Sequence, residues 1–138
     1  MRTYYVEGKD ITDVATMCEA FGRAVGAPRD YFGADIQGFD DCLFGGLKLL
    51  DTPCEIVWRD SDISRGNLDC DMLAADCLAM LDDHEIDSPS FQDGKQWAHD
   101  TLTKAKAGIY SMFDNVIEMI ESVPERSSGR RQIKLTLQ

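Results

Sequence analysis

The sequence predicts an α/β domain: a small three-stranded parallel sheet packed with helices. Two observations carry this. Three short β-favouring segments lie at the start, middle and end of the chain. The stretches between them carry helical periodicity and are far too long for hairpins. Long helix-containing crossovers favour parallel pairing, and right-handed connections lay the helices against the sheet. With 138 residues and 43% apolar composition, the chain fits one domain with a modest core.

The elements follow in order. Thr3 to Glu7 (TYYVE) has β-favouring side chains and stops at Gly8, a first strand. Thr12 or Asp13 can cap the helix that follows. In it Val14, Met17, Cys18, Phe21 and Val25 share one face, and Gly26 is placed to end it. Pro28 stands in the loop beyond. Gly33 interrupts the chain and Asp35 is a natural N-cap. Ile36, Phe39 and Leu43 then form a narrow apolar stripe. At ~100° per residue, Gln37, Asp41 and Phe44 fall on the opposite side, with Asp40 at its edge. Gly45-Gly46 closes this short helix. Cys54 to Trp58 reads as a second, central strand after Pro53.

From Ser61 to about Ile109 the pattern is less regular. Asp60 to Asp71 (DSDISRGNLDCD) reads as a polar loop with a helix cap, and Leu68 to Leu81 as a helix. Asp82 to Gly94, with Pro89, reads as a loop. Lys95 to Val123 is helical through much of its length, with Gly108 a point of bending or breakage. Its last part turns Met112, Phe113, Val116, Ile117, Met119 and Ile120 to a core. Glu125 to Arg131 (ERSSGRR) reads as a turn, and Ile133 to Leu137 alternates as the final strand.

Composition excludes several function classes. The formal charge is −11, from 25 acids against 14 bases, so direct nucleic-acid binding is not expected; phosphate contact needs Lys and Arg. An acidic surface suits a basic partner and speeds encounter with it. No apolar run approaches a membrane span and the first residues lack a signal-peptide core, so a soluble cytoplasmic protein with no membrane partner is expected. Five cysteines without a CxxC spacing read as reduced, half-buried small hydrophobes. Motifs of nucleotide, serine-hydrolase and zinc-protease chemistry are missing, and an enzyme with a cofactor is not expected.

Two arrangements look like metal sites and fail on geometry. Cys70, Cys77 and His84 recur every seven residues, but seven helical residues rise ~10.5 Å. Zinc ligands lie ~2.0–2.3 Å from one shared ion, so a packing stripe is the reading. In Asp60–Asp71 the spacing of Asp60, Asp62 and Ser64 imitates a calcium loop. Arg65 then occupies the glycine position, and Asp71 stands where a bidentate Glu is needed. No metal is expected.

Several features in the right order resemble the barstar family, intracellular inhibitors of barnase-type ribonucleases. That family has a Pro-x-Tyr-Tyr-Gly stretch leading to a short acidic helix that ends Asp-Cys-Leu, then Gly. Here Pro28-Arg29-Asp30-Tyr31-Phe32-Gly33 leads to Asp40-Asp41-Cys42-Leu43. Gly8 to Phe21 looks like the family's first turn and helix, Ile56 to Arg59 like its second strand, and Ile133 to Leu137 like its last. The likeness covers Tyr4 to Asp60 and resumes from Phe113 to Leu137; residues 61–109 look like an added helical insertion within a single domain spanning 1–138.

The resemblance implies a barstar-like parallel sheet with helices and an acidic helix that enters a nuclease cleft in place of RNA phosphates. It places Asp41 at the family's dominant binding aspartate and Tyr31 at the aromatic of the preceding loop. Gln37 stands where the family has another aspartate, and Asp40 where it has a tryptophan. A late-helix glutamate of the family aligns with Ser122, with Glu121 adjacent. The expected partner-binding set is therefore Tyr31, Asp35, Gln37, Asp40, Asp41, Phe44 and Glu121, Asp35 serving mainly as a helix cap. The expected function is a non-enzymatic inhibitor that blocks the basic cleft of a ribonuclease and protects the producing cell as an immunity protein. The alternative is a barstar-fold binding or homo-oligomerisation module without nuclease inhibition.

Overall fold

The computed structural model describes the backbone of residues 1–82 and 89–138 and the side chains of 1–82 and 94–138. His84 and part of the loop expected at Asp82 to Gly94 lie outside them. Three strands, β1 (Arg2–Glu7), β2 (Cys54–Arg59) and β3 (Ile133–Leu137), form one sheet in the order β1-β2-β3. Both pairings are parallel, with Tyr4 opposite Ile56 and Ile56 opposite Leu135. The central strand is the most apolar one, with Cys54, Ile56, Val57 and Trp58 all buried, as parallel sheets require.

Backbone contacts group residues 1–67 with 116–138 in one compact unit and 68–115 in a second. The first unit holds the sheet. Its first helix, α1 (Val14–Val25), starts at a reciprocal cap. The Thr16 N–H donates to Asp13 Oδ1 at 2.8 Å and the Asp13 N–H to Thr16 Oγ1 at 2.9 Å. Hydrogen bonds donated by the Thr16 N–H and the Thr16 hydroxyl hold the Asp13 carboxyl below its ordinary pKa. Gly26, at φ 70°, ends the helix. The short helix α2 (Ile36–Leu43) follows.

Ser61 to Asn67 is a helix, α3, rather than the polar loop expected. Its reason is tertiary. The Ser61 N–H donates to the Gln138 carbonyl at 2.8 Å. Ser64 Oγ accepts from Trp58 Nε1 at 2.9 Å and donates to the Gly8 carbonyl at 2.8 Å. Asn67 Nδ2 donates to the Ile11 carbonyl at 3.0 Å. Partners so far away in sequence leave no local pattern to read.

The second unit pairs α4 (Cys70–Leu81) with α5 (Pro89–Lys106). Asp69 caps α4, accepting from the Met72 N–H at 2.9 Å. Pro89 to Gly94 is helical and not loop. Proline suits a first helical position, having no N–H to leave unbonded. Gly108, at φ 75°, ends α5, with the Ile109 N–H returning to the Lys104 carbonyl. The helical stretch expected from Lys95 is thus broken at Gly108, one of the two outcomes expected there, and α6 (Met112–Glu121) begins anew. Its Met112 and Phe113 amides bond the Asp69 and Leu68 carbonyls, drawing the two ends of this unit together.

The chain then enters α7 (Val123–Arg126). The turn expected from Glu125 therefore begins later, after Arg126. Pro124 cannot donate to the carbonyl four residues back, which separates α6 from α7.

Candidate functional site

The stretch from Pro28 to Gly46 gathers most of the expected site residues. Asp35, in extended backbone, accepts from the Gly38 N–H at 2.7 Å and starts α2. Phe39 and Leu43 are fully buried and Cys42 nearly so; Ile36, expected with them, is half-buried. Phe39 meets Phe21 edge-on at 4.8 Å between centroids and Phe32 at 5.4 Å. Phe21 in turn meets Trp58 of the central strand at 5.3 Å. One side of α2 is thus set into an aromatic core, where such pairs add to area burial. Burial, with the neighbouring Asp41 carboxylate, pushes the Cys42 thiol pKa up, so this cysteine packs and does not react.

Two glycines fix the loop before the helix. A Cβ at Gly22 of α1 would overlap the Asp30 carbonyl, so the loop lies directly on the helix backbone. Gly33, at φ 88°, approaches the Gly38–Phe39 peptide so closely that a Cβ would overlap it. Between them Phe32 is buried while Tyr31 is 45% exposed. One aromatic anchors the loop and its neighbour is displayed.

The far end of α2 is held by Arg131. Its Nε donates to the Leu43 carbonyl and its Nη2 to the Leu50 carbonyl, both at 2.9 Å. A cation at a helix C-terminus satisfies unbonded carbonyls and complements the helix dipole. Gly45, at φ 103°, leaves room for that guanidinium.

The outward side carries Gln37, Asp41 and Phe44, all exposed, as the periodicity predicts. The aspartates of the helix have three separate roles. Asp35 is the cap. Asp40 is held by Arg126 through two hydrogen bonds, Nη1 to Oδ2 at 3.0 Å and Nη2 to Oδ1 at 2.8 Å. Asp41 is exposed, and among the described residues nothing pairs with its carboxylate. The charge at position 40 is thus neutralised within the chain, and Asp41 is the free carboxylate of α2.

Glu121 is exposed at the end of α6. Ser122 is half-buried, donating to the Met119 carbonyl at 2.9 Å and accepting from Arg126 Nε at 2.7 Å. Arg126 also lies over the Phe44 ring, 4.6 Å from its centroid. Sequence reasoning missed Arg126, which stands 86 residues from Asp40. The only local hint was a cation four residues after Ser122 in a strongly acidic chain.

Among the described residues no group of three His, Cys, Asp or Glu could hold a metal. Cys77 of the seven-residue stripe is buried and Cys70 half-buried. No described helix is long and apolar enough to cross a membrane.

A comparison with curated proteins finds no match. The family model of barstar, the barnase inhibitor, matches residues 1–126. The chain belongs to the barstar family, and is a ribonuclease inhibitor and not an enzyme.

Proposed function

We propose that this inhibitor blocks its barnase-type ribonuclease with the outward side of α2 and the loop before it, Asp41 entering the basic cleft as the central contact. One observation carries the reading: Asp41 is exposed and, among the described residues, unpaired, on a helix whose opposite side is fixed in an aromatic core. A cleft built to hold RNA phosphates is cationic. A carboxylate presented there takes the place of a phosphate, and the bulk of the helix excludes the rest of the substrate.

The support matters as much as the charge. Association costs the freedom of whatever must be ordered, and a helix already fixed by Phe39, Leu43, Gly33 and Arg131 leaves little to order. The excess of acids steers the inhibitor toward a basic enzyme. Tyr31 and Phe44 add exposed aromatic surface from the same stretch, the residue type enriched where interfaces bind most strongly. Gln37 offers an amide and Glu121 a further carboxylate. In this reading the protein works inside the cell that makes the nuclease, as its immunity protein.

The test is to titrate the inhibitor into a barnase-type ribonuclease and follow RNA cleavage. Cleavage should cease near one inhibitor per enzyme. Unchanged cleavage at stoichiometric excess would sink the reading.

A further inference from the structure

Arg126 uses four of its five N–H groups inside the chain. Two go to Asp40, one to Ser122 Oγ at 2.7 Å and one to the Met119 carbonyl at 2.9 Å. Its guanidinium carbon lies over the Phe44 ring. One side chain therefore joins the outward side of α2 to the end of α6. It does so immediately beside Asp41, in the unit that holds the sheet. The pair is only partly screened: side-chain exposures are 38% for Arg126 and 26% for Asp40.

We propose that Arg126 is a positioning and specificity-determining residue of the docking surface. It does two separable things. Its charge cancels Asp40, so that α2 presents one free carboxylate, at Asp41, and the fitting nuclease needs one cationic subsite for this helix rather than two. Its planar fork fixes Asp40 and Phe44 against α6, so that this part of the surface meets the enzyme already ordered. A lysine could supply the charge, but not the bidentate fork or the stacking together. This inference rests on the docking reading above and says which charges of that surface are available.

The two roles separate in the kinetics of binding to a barnase-type ribonuclease. Charge acts mainly on association and short-range order mainly on dissociation. Arg126→Ala uncovers the Asp40 carboxylate. At low salt it should associate about two- to fivefold faster, a gain lost at high salt. It should also dissociate about tenfold faster. Arg126→Lys keeps the charge, so association should stay at the wild-type rate while dissociation still accelerates. Asp40→Ala added to Arg126→Ala should abolish the gain in association.

A role confined to fold stability would not accelerate association in a salt-dependent way. An Arg126→Ala association rate that does not rise at low salt, or an unchanged dissociation rate, overturns the proposal. If that variant does not fold, Arg126→Lys decides: unchanged dissociation overturns it. Failure of the wild-type protein to bind overturns the docking reading itself, a result distinct from wild-type binding with unaltered variants.

Discussion

Two of the helical surfaces that carry aspartates, the α2 edge and the α4–α5 pair, are built differently. The α2 edge stands on bulky aromatic packing and backbone-to-backbone contact, with Phe39 among Phe21 and Phe32 and with Gly33 against the following helix. The α4–α5 pair buries Leu73 and otherwise small groups, Cys77, Ala98, Thr101 and Ala105, and no aromatic among its described residues, while Leu78, Met80 and Trp97 stay substantially exposed. Both surfaces have exposed carboxylates, Asp41 on one and Asp71 and Asp82 on the other. Acidity alone therefore does not separate the two. In the proposed reading the docking edge is the one with a free carboxylate on an immobilised support.

The largest expected effect tests that contrast in binding. Asp41→Ala should weaken the complex with a barnase-type ribonuclease by about 2 kcal/mol or more, at least ~30-fold. That hot-spot range includes an aspartate from a relative of this chain. Asp82→Ala should shift affinity by under about 0.5 kcal/mol. Equal losses measured by titration calorimetry would erase the distinction between the two surfaces.

A pair of glycine substitutions compares the supports themselves. Gly22→Ala should destabilise the fold by about 1–3 kcal/mol, since the new methyl group overlaps the Asp30 carbonyl. Gly94→Ala in α5 has open space around its Cβ and should stabilise by about 0.5–1 kcal/mol. Urea unfolding measures both, and a Gly22→Ala protein as stable as wild type would show that the loop is not seated as described.

Much of the α2 edge is legible in the sequence. Its cap, its buried stripe and its outward residues follow from a single helical period, and Asp35, Phe39 and Asp41 stand where that period puts them. The parallel sheet was legible because helical crossovers leave few alternatives. What stayed hidden depends on partners distant in sequence. Asp40 looked like a second available charge until Arg126 was found on it. Ser61–Asn67 looked like a loop because its supports are Gly8, Ile11 and the end of β3. Gly22 carries no local signal that another segment rests on it. Residues 61–109 gave helices but no chemistry, for their pattern specifies packing and little else.

A smaller effect sharpens the contrast through the thiols. Burial raises the Cys18 and Cys54 pKa values to about 11, and pushes Cys42 and Cys77 upward too. Only Cys70 is partly exposed. Brief iodoacetamide treatment at neutral pH should therefore modify the native protein at Cys70 alone, and all five cysteines once it is unfolded. Native labelling at Cys42 would mean that α2 is not firmly packed.

The most direct measurement of the central claim is an amide hydrogen-exchange footprint of the inhibitor with and without a barnase-type ribonuclease. The account predicts that binding slows exchange in the loop from Arg29 to Gly33 and through α2, and leaves α4 unchanged. Protection confined to α4 and α5, with α2 exchanging as in the free protein, would contradict it.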